Sequence, residues 1–198
     1  MDVAIAGVAL AATAPVIAAA AGGILVTMGR PVFFKQLRAG YKEKPFTLYK
    51  FRTMREAFDE AGRPLDDGKR LTKLGNLLRI TSIDELPQLI NVIKGDMSIV
   101  GPRPLLYEYV SRYTPEKRRR HDMPPGITGL TQVEGRAGQT WEERFKKDLE
   151  YVDNWSLWLD IKIILKTPFV VMSMKDINLP GHSTNPLYEE TVEKDKDE

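Results

Sequence analysis

The hydrophobic pattern opens with one long apolar run. Val3 to Met28 carries no charged residue. As a straight helix it would extend about 39 Å, enough to cross a bilayer core. It is largely Ala and Gly, and Pro15 stands at its centre, where a proline removes a backbone bond and bends the axis. Three elements fit: a transmembrane helix, a helix–break–helix hairpin entering and leaving one leaflet, and a buried Ala-rich helix. In lipid the carbonyls freed by Pro15 need partners, and Thr13 is near enough to be one. A signal peptide fits poorly, because Asp2 stands where basic residues belong.

From Pro31 the pattern shortens. Val32-Phe33-Phe34 and Phe46-Thr47-Leu48-Tyr49 read as strands joined by a turn at Ala39-Gly40-Tyr41. Lys50 to Met54 continues the second strand, with Lys50 and Arg52 on one face. That pair is either a solvated basic face or a phosphate-facing one. Arg55 to Arg70 is a polar loop. Leu71 to Arg79 is a short helix closed by Arg79, where a cation suits the dipole. Leu86, Leu89, Ile90 and Ile93 mark one face of another short helix. Asp84 and Glu85 precede it, with Ser82 or Asp84 as the cap, so both carboxylates are expected at a positive helix end.

Leu105 to Tyr113 has helical spacing. Lys117 to His121 is a basic run, read as a solvated or membrane-facing surface. Thr140 to Val152 is a helix capped by Thr140, with Glu142 and Glu143 in its first turn. Trp155 to Met174 is apolar and aromatic, with Asp160, Lys162 and Lys166 among the hydrophobes and Pro168 interrupting. It suits an interfacial helix or a core helix. The tail from Gly181 to Glu198 ends in a charged run without apolar periodicity.

Charge and composition narrow the chemistry. The 198 residues carry a net charge of +2, no cysteine and two histidines. Disulfides, Cys-ligated metals and thiol catalysis are excluded. A Ser-His-Asp site or a His-rich metal site is disfavoured, so carboxylates, Arg and Lys must carry any chemistry. The first 29 residues hold no Lys or Arg, and Arg30, Lys35, Arg38, Lys42 and Lys44 follow at once. That asymmetry marks a cytoplasmic side and favours anionic lipid. The apolar segment argues against a nucleic-acid binder. Gly101-Pro102-Arg103-Pro104 fixes a guanidinium on a stiff backbone, suited to a bidentate phosphate contact. Gly126 and Gly129 allow close backbone approach to a ligand. The Gly spacing is that of neither a Walker loop nor a dinucleotide fingerprint.

Six islands in order resemble one family. They are the Pro15-centred apolar segment, Tyr49-Lys50-Phe51-Arg52-Thr53-Met54, Ser82-Ile83-Asp84-Glu85-Leu86-Pro87-Gln88-Leu89, Lys94-Gly95-Asp96-Met97-Ser98, Gly101-Pro102-Arg103-Pro104 and Pro125-Gly126-Ile127-Thr128-Gly129-Leu130. Together they are similar to the bacterial sugar transferases, in particular the small PglC-like monotopic phosphoglycosyl transferases.

The resemblance implies transfer of a sugar 1-phosphate from a UDP-sugar to a polyprenyl phosphate, releasing UMP. It implies Asp84 as the nucleophile that forms a phosphosugar-aspartyl intermediate, with Glu85 assisting proton transfer or placing the acceptor. Mg²⁺ is expected at Asp84. Lys50, Arg79 and Arg103 are the expected phosphate-binding cations, and Pro102, Gly126, Thr128, Gln132 and Arg136 the further substrate contacts. The fold expected is α+β, mainly short helices with a small antiparallel sheet. Residues 1–29 would form a re-entrant hairpin broken at Pro15, residues 30–180 a catalytic domain with interfacial helices, and residues 181–198 a tail. The resemblance places the protein on the cytoplasmic face of the bacterial inner membrane, in contact with lipid, and leaves a homodimer open. The competing reading is a non-catalytic module that binds anionic lipid.

Overall fold

In the computed structural model the described residues are 1–135, 139–173 and 188. Helix α1 (Asp2–Met28) is followed by β1 (Phe33–Ala39), β2 (Pro45–Phe51), α2 (Asp67–Arg70), α3 (Lys73–Ile80) and α4 (Gln88–Ile93). Then come β3 (Ser98–Val100), α5 (Pro115–Arg118), β4 (Gly126–Thr128), α6 (Leu130–Gly135), α7 (Trp141–Asp153) and α8 (Leu157–Met172). Short 3-10 turns at Tyr41–Glu43, Ile83–Glu85, Tyr107–Arg112 and Arg119–Asp122 complete the path. The architecture is therefore mainly short helices around two small sheets, as expected.

The expected break in the apolar segment does not occur. Asp2–Met28 is one continuous helix with Pro15 inside it, and no second helix of a hairpin is present among the described residues. The reason lies in packing. Ala6, Leu10, Ile17, Ala20 and Ile24 recur at intervals of three, four and seven, and all turn to the domain. Ala6 sits with Phe46, Leu48, Leu89 and Val92, and Ala20 and Ile24 with Phe51 and Leu78. Both halves are thus held along one line, and Pro15 falls on the exposed side. Burial on both sides of a proline can offset its lost bond. Thr13 Oγ1 donates to the Ala9 carbonyl at 2.7 Å.

Both ends of α1 are tied to the same domain. Ser98 Oγ donates to Asp2 Oδ2 at 2.6 Å, and Arg52 Nη2 donates to the Met28 and Gly29 carbonyls at 2.5 and 2.6 Å. Arg52 thus neutralises the C-terminal end of α1. The outer face is apolar and uncovered, with Val8 72% and Val26 88% exposed. The helix is long and apolar enough to cross a membrane, with a mean hydropathy of 2.2. Trp158, Leu165, Phe169 and Met172 of α8 are also exposed. Pro168 lies inside α8 and does not interrupt it.

β1 and β2 pair antiparallel, with Phe34 opposite Lys50 and Arg38 opposite Phe46. The second sheet differs from expectation, because β3 and β4 run parallel. A crossover through α5 separates them, and only such a connection can bring short strands together in parallel. Asn91, fully buried on α4, stitches that helix to β2: its Oδ1 accepts from the Tyr49 amide and its Nδ2 donates to the Thr47 carbonyl. Gly75 lets α3 lie against the strand end, since a Cβ there would meet the Thr53 carbonyl at 1.9 Å. Helix α7 begins as expected, with a capping box between Thr140 and Glu143.

Candidate active site

The acid pair lies in the 3-10 turn Ile83–Glu85, not in the first turn of α4 as the capping pattern suggested. Ser82 makes no capping bond; it is left-handed, with φ at 56°, and Pro87 holds the cap position of α4. The left-handed residue turns the chain sharply between α3 and the dyad. Ile83 packs into the cluster containing Ala20 and Ile24 of α1. The dyad therefore stands next to the apolar helix.

Three elements converge on it. Lys50, at the end of β2, donates to Glu85 Oε1 at 2.5 Å. Arg103 Nη2 donates to the same oxygen at 2.6 Å. Arg79 approaches from the last turn of α3, with its Nε on Thr53 Oγ1 at 2.9 Å. The structure thus brings Lys50, Arg79 and Arg103 together about Asp84 and Glu85. The pairing of Lys50 with Arg52 does not, because Arg52 is spent on the end of α1.

The two carboxylates differ in electrostatic state. Burial alone would raise Glu85, but the Arg103 and Lys50 charges and hydrogen bonds overcome it and hold the carboxyl far below its usual range. Asp84 is buried and pushed up to about 6, first by desolvation and then by the adjacent Glu85 charge. Lys50, Arg79 and Arg103 pull it down only in part. Arg103 is in turn raised, chiefly by Glu85, and burial lowers Arg79.

The Arg103 loop is fixed on every side. The Gly101 amide donates to the Thr128 carbonyl, and the Gly126 amide to the Pro102 carbonyl. A Cβ on Gly126 would meet the Gly101 nitrogen at 2.1 Å. Gly126 and buried Pro102 thus serve to close the loop on β4. Thr128 is committed to Thr167 Oγ1 of α8 at 2.7 Å. Gln132 is on α6 with its side-chain amide buried and, among the described residues, without a hydrogen-bond partner. Arg136 and the tail expected over 181–198 lie outside the described residues, apart from Tyr188, which is buried against Tyr109, Trp141 and Phe145.

Two residues near Arg103 were missed as site candidates. Arg38 Nη1 donates to the Pro104 carbonyl at 3.1 Å, and its pKa is lowered to about 10 by burial and by Arg103. Arg120 was placed on a surface, yet it is 2% exposed and its Nη2 donates to the Arg103 carbonyl at 2.7 Å.

The family profile for bacterial sugar transferases matches residues 1–174. The chain belongs to the bacterial sugar transferase family. It is 53% identical over 161 residues to the uncharacterized sugar transferase EpsL of Bacillus subtilis, covering 81% of this chain and 80% of that one. It is 41% identical over 177 residues to a UDP-glucose:undecaprenyl-phosphate glucose-1-phosphate transferase of Caulobacter vibrioides, with 84% and 66% covered. To the galactosyl transferase CpsE of Streptococcus agalactiae it is 43% identical over 158 residues, spanning 73% of this chain but 35% of that protein. The family members with longer chains thus contain this unit as a part.

Proposed function

We propose that this sugar transferase moves a sugar 1-phosphate from a UDP-sugar to a polyprenyl phosphate, through a covalent intermediate on Asp84. The observation that carries the reading is the unequal dyad. Glu85 is tied to two cations, whereas Asp84 bears a high pKa beside three cations that suit a diphosphate. An Asp84 oxygen attacks the β-phosphorus, the bond from that phosphorus to the bridging oxygen breaks, and UMP leaves. A polyprenyl phosphate oxygen then attacks the same phosphorus and frees the carboxylate. Splitting one transfer into two steps is the general gain of a covalent intermediate. Lys50, Arg79 and Arg103 stabilise charge on the transferring oxygens. The activities named for the relatives, glucose 1-phosphate transfer to undecaprenyl phosphate among them, support the substrate classes.

Mg²⁺ fits this site in one limited sense. Among the described residues no cluster of three or more His, Cys, Asp or Glu could hold an ion. Mg²⁺ commonly takes one or two carboxylates and completes its shell with substrate phosphates and water. Asp84 would be its protein ligand, since Glu85 is engaged by Lys50 and Arg103. When bound, it would neutralise charge on the diphosphate.

Membrane placement follows from α1. We place its uncovered face in one leaflet from the cytoplasmic side, with both helix ends returning to the domain, which brings the dyad to headgroup depth beside polyprenyl phosphate. The chain has no cysteine, so Val3→Cys, at an exposed position beside the start of α1, and Arg30→Cys give clean reporters. Both should react with an impermeant thiol reagent only from the cytoplasmic side; labelling of Val3→Cys from outside would establish a spanning helix.

The reaction is tested by UMP release from detergent-solubilised protein with polyprenyl phosphate, Mg²⁺ and a panel of UDP-sugars. Acceptor-dependent release should occur with at least one donor and fall roughly 10⁴-fold in Asp84→Asn. Undiminished release by that variant would remove Asp84 as nucleophile, and lipid binding without release would favour the non-catalytic module.

A further inference from the structure

Arg120 lies in a basic run yet behaves unlike its neighbours. Arg118 and Arg119 pair with Glu43 and Asp153 and stay 41% and 49% exposed. Arg120 turns inward and forms a buried ion pair with Asp148 of α7. Its Nε and Nη2 donate to Asp148 Oδ2 at 3.0 and 2.6 Å. The other carboxylate oxygen accepts from Thr131 Oγ1 of α6 at 2.7 Å. Nη2 also donates to the main-chain carbonyl of Arg103 at 2.7 Å. The guanidinium lies against the Phe145 ring, 5.8 Å from its centre.

A buried ion pair is a poor device for stability. Desolvation consumes most of the Coulomb gain, and apolar side chains of the same volume often serve as well or better. What the pair provides here is a fixed direction. Arg103 lies between two prolines and its side chain must reach Glu85 at 2.6 Å. Its own carbonyl is held by Arg120, while the flanking carbonyls of Pro102 and Pro104 are held by the Gly126 amide and Arg38. α6 and α7 thereby set the position of a cation in the dyad.

We infer that Arg120, oriented by Asp148 and Thr131, is a positioning residue that aims Arg103 at Glu85 and Asp84. The consequence for the reaction rests on the function proposed above; the consequence for the Arg103 side chain does not. With its carbonyl released by Arg120, Arg103 loses part of the hold on its backbone, and its Nη2 bond to Glu85 Oε1 at 2.6 Å loosens.

The test uses Arg120→Lys, which keeps a charge beside Asp148 but lacks the fork that also reaches the Arg103 carbonyl. Asp148→Asn is the second variant, should the first fail to fold. The Arg103 guanidinium is followed without substrate by ¹⁵N NMR of its side-chain N–H groups on the full-length protein in micelles, with Arg103→Lys assigning the signal. UMP release is followed in parallel for kcat and KM. The expected result is a shifted, faster-exchanging Arg103 signal, with the loss of activity falling on kcat more than on KM. Turnover should fall on the order of 10- to 100-fold, as misplacement of a positioning group commonly costs. In an Arg103→Lys background the same change should have little further effect. An unmoved Arg103 signal, whatever the activity, would overturn the inference and leave Arg120 a packing residue. A shifted signal, when the parent protein releases no UMP with any donor, would sustain the positioning role and refute the reaction.

Discussion

Half-buried Glu85 and buried Asp148 are both gripped by arginine, and the two grips are joined through the Arg103 carbonyl. Around Asp148 the hydrogen-bonded set is even: one carboxylate, one guanidinium and one hydroxyl, with Arg120 and Asp148 2% and 4% exposed. Around Glu85 it is uneven. Two adjacent carboxylates share a turn with Lys50, Arg79 and Arg103, and those cations favour Glu85 over Asp84. A balanced cluster can only hold shape. An unbalanced one leaves a carboxylate whose charge is costly until it takes a cation or forms a bond, which is how reactive groups are commonly marked.

That contrast can be broken from either side. The largest effect on stability is expected in the balanced cluster. Asp148→Ala strands a buried guanidinium and should cost about 3–5 kcal/mol in unfolding free energy, read by denaturant titration in micelles. A loss under 1 kcal/mol would mean that water reaches Arg120 and that the cluster is not sealed. The unbalanced cluster should respond with the opposite sign. Asp84 titrates at about 6, above the ordinary value of 3.8, so the folded state binds this proton more tightly than the unfolded chain. The stability tied to that proton is greatest below pH 4 and is lost as pH rises through 6. Asp84→Asn removes the burden and should therefore stabilise the protein at pH 7.5 by on the order of 2 kcal/mol, with the gain fading near pH 4. Destabilisation by this variant at neutral pH would show that Asp84 is as well compensated as Asp148.

Sequence reasoning reached the reacting turn more readily than its support. Asp84, Glu85, Lys50, Arg79 and Arg103 lie in short motifs whose chemistry is local, and the chain brings them together. The strand hairpin and the Thr140 cap were legible for the same reason. Arg120 was not, because Lys117 to His121 reads as one solvated run until the chain passes from α5 into a 3-10 turn and rotates one side chain inward. A signal was available on the partner. Trp141, Phe145 and Asp148 recur at helical spacing, so an acid sits in the apolar stripe of α7 and requires a cation from elsewhere. Arg52 shows the converse: its strand neighbour Lys50 suggested phosphate, while the end of α1 claimed it. Pro15 misled for a different reason. Local preference breaks a helix there, but contacts along both halves keep it whole.

The central claim is that Asp84 takes the phosphosugar covalently, and its most direct test is intact-mass analysis after mixing the protein with the active UDP-sugar in the absence of polyprenyl phosphate. A covalent intermediate gives an added mass of one sugar phosphate on the peptide containing Asp84, with a matching amount of UMP released; both are lost in Asp84→Asn, and added acceptor discharges the adduct. No adduct, together with UMP release that begins only when acceptor is present, would contradict it and establish direct transfer between the two substrates.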